Sequence, residues 1–205
     1  MTTALALKRS QPKQERAQAT YERLLDVAGA LLGEVGLDRI TTNLICARAG
    51  LTPPALYRYF DDKYAVLEAL GRRLMMRQNA VLEQWIARHV DHGLAALRDG
   101  IEQLLRETAA VTQSEPGAVW ILRALHATPQ LVHVRLESHR HVTDKLVAAY
   151  ARHLPEVDRV ELWQRLRLSV ELGFAADEML QEETRISPEF AMRRVAALLR
   201  ADLTD

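Results

Sequence analysis

The 205-residue sequence predicts an all-α protein of about nine helices, a three-helix head at the N-terminus followed by a larger helical bundle. Three observations predict it. Apolar residues recur at i, i+3, i+4 steps along most of the chain, and no stretch shows the strict alternation of a half-buried strand. Glycines and prolines fall mostly between these stripes, where helices start and stop. The first three stripes are short and crowd into about 45 residues, whereas the later ones are long. Two units are therefore expected, 13–61 and 62–205.

The elements follow in order. From Lys13 onward, Tyr21, Leu24, Leu25, Ala28, Leu31, Leu32 and Val35 form one stripe, with Gly36 placed as its C-cap. Thr41 is an N-cap for a second helix carrying Leu44, Ile45 and Ala47, which Gly50 stops. Thr52 caps a third helix reaching about Tyr59. Pro53 and Pro54 fall in its first turn, where backbone N–H groups have no intrahelical partner anyway. A long helix is expected from Lys63 to about Arg88, then one over Leu94–Val111, a break at Ser114-Glu115-Pro116-Gly117, and a helix over Ala118–Ala127. Another opens at Thr128-Pro129 and runs to Leu154-Pro155. Asp158 to Glu183 is one long stretch, and Ser187 caps the last helix with Pro188 at its first position.

Composition narrows the function. With 48% hydrophobic and 26% charged residues the chain can bury a core, which excludes a disordered or collagen-like protein. One cysteine, Cys46, excludes a disulfide framework and fits a reducing cytosol. No apolar run approaches the ~18 residues that span a bilayer, so a cytoplasmic protein without a membrane partner is expected. Lys plus Arg equals Asp plus Glu at 27 each, yet residues 1–80 hold twelve basic against eight acidic side chains. A basic head on an acidic body is the charge pattern of a polyanion binder.

The second and third helices, joined by Ala49-Gly50-Leu51-Thr52, have the short Gly-containing turn of a helix-turn-helix, over 41–60. Its second helix would enter the major groove with Thr52, Pro53, Pro54 and Ala55 against base edges and Tyr57 one turn on. Leu56 and Phe60, at i and i+4, would face the first helix, leaving Tyr57, Arg58 and Tyr59 on the wetter sides. Thr41, Thr42 and Thr52 can offer hydroxyls and N-terminal amides to phosphates, and Lys63 stands close enough to clamp the same backbone. Lys13 and Arg16 precede the first helix's apolar stripe, and solvated positions are expected for both.

These residues resemble the DNA-binding domain of the tetracycline-repressor (TetR) family. The resemblance rests on Ala28 to Val35 then Gly36, on Thr41-x-x-x-Ile45-Cys46-x-x-Ala49-Gly50-Leu51-Thr52, and on Ala55-Leu56-Tyr57-Arg58-Tyr59-Phe60-x-x-Lys63. It covers about 50 residues; the rest matches in length and helical character only. It implies phosphate contacts by Thr41, Thr52, Arg58, Tyr59 and Lys63, and base-facing Pro53, Pro54, Ala55 and Tyr57. Pro54, Arg58 and Tyr59 stand where the family often has Gly, Tyr and His, which changes the bases read. Pro53, Pro54 and Ala55 carry no side-chain hydrogen-bonding group, so they suit thymine methyls, and DNA shape carries more of the specificity. The family's C-terminal domain dimerises and binds a small ligand that lowers operator affinity.

A single head makes few contacts, so two must be held about 34 Å apart on a palindromic operator in double-stranded DNA. The expected homodimer surface is a stripe of Leu162, Leu166, Ser169, Val170, Gly173 and Asp177 with Phe190, Val195, Ala196 and Leu199 of the last helix, forming a four-helix interface. The expected walls of a pocket for a small-molecule effector of unknown identity are Met75, Met76, Trp85, Trp120, His126, Phe174 and Met179. No cofactor or metal is expected. His133, Glu137 and His141 share a helix face, but an exposed face gives that spacing for nothing. With no nucleophile elbow, phosphate loop or HExxH, no catalytic residues are expected. The function expected is that of a dimeric DNA-binding transcriptional regulator, a repressor released by a small molecule. The alternative is a helix-turn-helix protein controlled by a protein partner or acting architecturally.

Overall fold

The computed structural model describes the backbone of residues 3–201 and the side chains of residues 14–201. Among the described residues every regular element is a helix. The head comprises α1 (Thr3–Arg39), α2 (Thr42–Ala49) and α3 (Pro53–Leu56). The body comprises α4 (Lys63–His89), a 3₁₀ turn (Val90–His92), α5 (Gly93–Asp99), α6 (Ile101–Ser114), α7 (Ala118–Ala127), α8 (Val132–Tyr150), α9 (Arg159–Leu180) and α10 (Pro188–Ala201). The first helix begins ahead of Lys13, and its axis kinks at Gly36 as the cap signal indicated. The Lys13 side chain lies outside the described residues, and Arg16 is exposed.

Cap chemistry sets the head. The Leu44 amide donates to Thr41 Oγ1 at 3.2 Å, and the Ala65 amide donates to Asp62 Oδ1 at 2.9 Å. Gly50 ends α2 at φ 63°, ψ 35°, a left-handed conformation that only a residue without Cβ adopts at little cost. Leu56 and Phe60 turn inward onto Leu24, Leu25, Ala28 and Leu32, as their i, i+4 spacing requires. Cys46 is buried there, and desolvation pushes its thiol upward, so it is packing rather than a reactive group.

Two cores result. The first runs without interruption from the head into Val66, Leu67, Leu70 and Leu74 of α4, Ile121, Leu122 and Leu125 of α7, and Leu131 and Val134 at the start of α8. The second joins Leu82 and Trp85 of α4 to Leu97, Leu146, Tyr150, Leu162, Leu166 and Leu199. Thus α4 belongs to both, with its N-terminal half under the head and its C-terminal half in the body. The helix expected over Leu94–Val111 divides at Gly100, whose carbonyl accepts the Trp85 indole N–H at 2.9 Å.

Head and body are tied at the turn between α6 and α7. Glu115 is buried there and takes Arg73 Nη2 on one oxygen at 2.6 Å and Arg77 on the other. Arg73 Nη1 also reaches back to Asp26 of α1 at 2.7 Å. The turn sits hard against α1. Gly117 has φ 73°, and a Cβ there would collide with the Gly29 carbonyl oxygen.

A second polar cluster lies between α8 and α9. His139 is buried, stacks on Phe174 with ring centroids 4.2 Å apart, and donates from Nδ1 to Glu171 Oε1 at 3.1 Å. Arg135 and Arg167 share the same carboxylate. Burial holds the imidazole neutral, lowering its pKa to about 4 from an ordinary 6.5.

Two stability measurements check these assignments. Gly117→Ala combines a left-handed Cβ with a backbone clash and should cost about 2–4 kcal/mol in urea unfolding. For His139, the unfolded chain binds a proton between pH 6.5 and about 4 that the folded chain refuses. Its contribution is complete above pH 6.5 and is lost as pH falls toward 4, amounting to about 3 kcal/mol. Unfolding across that range should therefore show a shallower pH dependence in His139→Phe than in the parent chain.

Candidate functional site

The head presents a short helix whose backbone is largely self-satisfied. The Thr52 carbonyl accepts the Ala55 and Leu56 amides at 2.9 and 3.3 Å, and the Thr52 side chain caps nothing. Pro53 and Pro54 have no N–H, and the Ala55 amide is spent on Thr52. The expectation that the start of this helix offers amides to phosphate is therefore narrowed, since positions 53–55 have none to give, while the Thr52 hydroxyl remains available. At the start of α2, by contrast, the Thr42 and Asn43 amides stand in the first turn, where a helix has no internal acceptor for them.

The side chains divide cleanly. Thr41, Thr52, Pro53, Pro54, Tyr57 and Arg58 are exposed, and Thr42, Ala55, Tyr59 and Lys63 are half-buried. The Tyr57 ring is 50% exposed, and its hydroxyl lies 3.2 Å from that of Thr42. This bond ties the start of α2 to the end of α3 and fixes where the phenol points. Tyr59 packs its ring beside Tyr21 at 6.2 Å and Phe60 at 6.4 Å, so only its outer edge reaches solvent. Lys63 opens α4 with its ammonium 5.4 Å from the Tyr64 ring centre. Arg58 makes no ion pair among the described residues, whereas Arg48 is neutralised by Glu34 at 2.8 Å. Together these residues form one polar and basic rim around a blunt apolar tip. Asn43 and Leu44 are also exposed on α2, a consequence of α2's orientation that spacing alone does not give.

Within the body, a cavity of about 90 Å³ lies between α4, α6, α8, α9 and α10. Of the expected pocket walls, Trp85 and Phe174 line it. The others do not. Met75 is buried in the first core, and Met76 is on the surface. Trp120 and His126 border a surface groove between α7 and the end of α9, where Arg123 stacks over Trp120 and His126 Nδ1 meets Glu178 at 3.2 Å. Met179 is exposed on α9. The correction has one cause: helical spacing identifies a stripe of large apolar groups but not the helix it will meet.

The same cause corrects the expected dimer surface. Leu162, Leu166, Ser169, Val170 and Asp177 are buried within the chain, as is Leu199, and Gly173 joins most of them on the cavity wall. Val195 is half-buried against the second core. Only Phe190 of that set is exposed. The outward face of α9 and α10 instead carries Leu168 (67% exposed), Leu172, Met179, Phe190 and Leu198. Of the three residues considered for metal, Glu137 pairs with Arg72, His133 with Glu68, and His141 lies 3.9 Å from Glu83. Among the described residues no helix is long and apolar enough to cross a membrane.

Comparison with known proteins agrees with this geometry. Residues 24–70 match the family described as bacterial regulatory proteins, tetR family. The class D tetracycline repressor protein of Escherichia coli is 31% identical over 93 residues, covering 45% of this chain and 38% of the repressor. The chain thus aligns with well under half the length of that relative. The transcriptional regulator BetI of Escherichia coli O45:K1 is 28% identical over 185 residues, covering 82% of this chain and 91% of BetI. A TetR-family regulator from Streptomyces coelicolor superposes with a TM-score of 0.63 at 22% identity, covering 90% of this chain and 97% of that one, which shows the shared fold.

Proposed function

We propose that this chain, whose residues 24–70 match the tetR family of bacterial regulatory proteins, is a cytoplasmic, homodimeric, DNA-binding repressor that leaves a palindromic operator when a small molecule enters its body. The observation that carries the reading is the tip from Pro53 to Tyr57. It is held rigidly by buried Leu56 and Phe60 while its outer residues stand free in solvent. Pro53, Pro54 and Ala55 read thymine methyls and groove shape, and Tyr57 reads a base edge. Thr41, Thr42, Thr52, Arg58, the outer edge of Tyr59 and Lys63 hold phosphates. The reading gives the chain no catalytic role.

Dimerisation proceeds through the outward face of α9 and α10, where Leu168, Leu172, Met179, Phe190 and Leu198 leave an apolar patch exposed on each protomer. Two helices from each chain close a four-helix interface. Ligand control is supported by the cavity, which keeps buried polar groups at one end of an apolar space. The repressor sense is supported by the matched relative, a tetracycline repressor protein by name.

Selection of bound DNA from a random pool should return a palindrome with half-site centres about 34 Å, or a multiple of that, apart. A pool with no enriched repeat overturns the reading. In binding titrations Lys63→Ala should weaken operator and random DNA alike and lower the salt slope by about one. Tyr57→Ala should shrink the preference for operator over random DNA, and equal losses on both refute its role. The double variant Leu168→Glu, Leu172→Glu should raise the dimer dissociation constant in ultracentrifugation by about 100-fold, equivalent to about 2.7 kcal/mol.

A further inference from the structure

The polar end of the cavity has a definite sense. Gln78 (2% exposed) donates from Nε2 to Thr112 Oγ1 at 2.9 Å, and Thr112 donates to Asp177 Oδ2 at 2.7 Å. Thr112 has one proton, and the short bond to Asp177 takes it rather than the Thr108 carbonyl, which lies 3.3 Å away. Gln78 must therefore present its NH₂ to Thr112, which leaves Gln78 Oε1 buried without a partner. Asp177 (4% exposed) receives besides Thr112 only the Gln181 amide at 3.5 Å. Among the described residues no arginine, lysine or histidine pairs with it, and its neighbour Glu178 is another acid. Gln78 and Asp177 both line the cavity.

The remaining polar hydrogens are spent elsewhere or shared. Trp85 Nε1–H is given to the Gly100 carbonyl and the Tyr150 hydroxyl to the Leu97 carbonyl. Ser169 and Thr108 line the wall with hydroxyls that serve either way. The cavity thus pairs an apolar wall with a spare amide oxygen and a carboxylate lacking a counter-charge. A buried carboxylate without a cation is costly, and here burial pushes its pKa upward. A ligand bringing positive charge and N–H donors removes that cost and fills both acceptors. An anionic ligand meets the wrong charge.

We propose that the cavity takes a small apolar amine in its ammonium form, with the charged head on Asp177 and Gln78 Oε1 and the hydrocarbon body against Leu82, Leu166 and Phe174. This names the effector class and rests on the ligand-responsive reading above. The volume of about 90 Å³ restricts the body to a few carbons, since a cavity of roughly 150 Å³ is filled by benzene.

The test uses the full-length protein with isopropylamine and its neutral counterpart propan-2-ol, both smaller than benzene, as probes, each titrated by NMR. The amine, protonated at neutral pH, should bind about ten times more tightly than the alcohol. Asp177→Asn keeps the size and the bond from Thr112, and should abolish that difference while the unfolding midpoint holds or rises. Gln78→Leu should weaken the amine by about threefold and spare the alcohol. Equal or tighter binding of propan-2-ol, no binding of the amine, or an unchanged amine affinity in Asp177→Asn overturns the proposal. If any of these occurs while some other compound releases operator DNA, ligand control stands and only the charge class falls. Amine binding that depends on Asp177 but never shifts DNA affinity supports the site and overturns ligand control.

Discussion

The clamp on Glu115 is the constraint on which the rest depends. A carboxylate at the α6–α7 turn is taken out of water and met by two guanidinium groups from one face of α4, one of which also grips α1. Such a group contributes little net stability when paired, yet leaves uncompensated buried charge when either side is lost. Its use is geometric. It sets the angle between α1, which carries the head, and α4, which carries the body. Gly29 and Gly117 let the same turn approach α1 backbone to backbone. In a dimer that angle decides how far apart the two reading tips stand, so a small displacement of the α6–α7 turn translates into a change of span on the duplex.

The cavity and the reading tip share one rigid element. From Lys63 beside the tip to Gln78 on the cavity wall, α4 runs unbroken for about 22 Å at 1.5 Å per residue. Arg73 and Arg77 lie on the stretch between. In the proposed mechanism an occupant of the cavity presses on Gln78, Thr112 and Asp177, which sit on α4, α6 and α9. Of these, α6 leads directly into the Glu115 turn and α4 carries the two arginines that clamp it. Coupling needs no long chain of side chains under this arrangement, because α4 and the turn together are the lever.

Much of the fold is legible in the chain because helix ends are chemical events. Thr41, Gly50, the Thr52-Pro53-Pro54 run, Asp158 and Ser187-Pro188 mark starts and stops through side-chain acceptors, missing N–H groups and left-handed residues. All of these act within four residues. The inward pair Leu56 and Phe60 is legible for the same local reason. What α9 does is not local. It is apolar on two faces, and only its neighbours determine that Leu166 and Val170 turn inward while Leu168 and Leu172 turn out. Asp177 is consequently one of the most deeply buried acids, although its place in the stripe predicts a surface. Met75 and Met76, adjacent in sequence, end up in a core and in solvent. At Gly100 the broken helix meets an indole from fifteen residues earlier, a contact that no local signal announces.

The paired prolines at the start of α3 have a thermodynamic consequence. Each ring removes backbone freedom that the unfolded chain would otherwise keep, and each presets the dihedral that a first helical turn needs. Under the proposed function the segment offered to DNA arrives with its entropy already surrendered during folding, and association does not have to freeze it. In the proposed complex a tip poor in directional hydrogen bonds is compensated by stiffness, and selectivity comes from shape that refuses to adapt rather than from contacts that adjust.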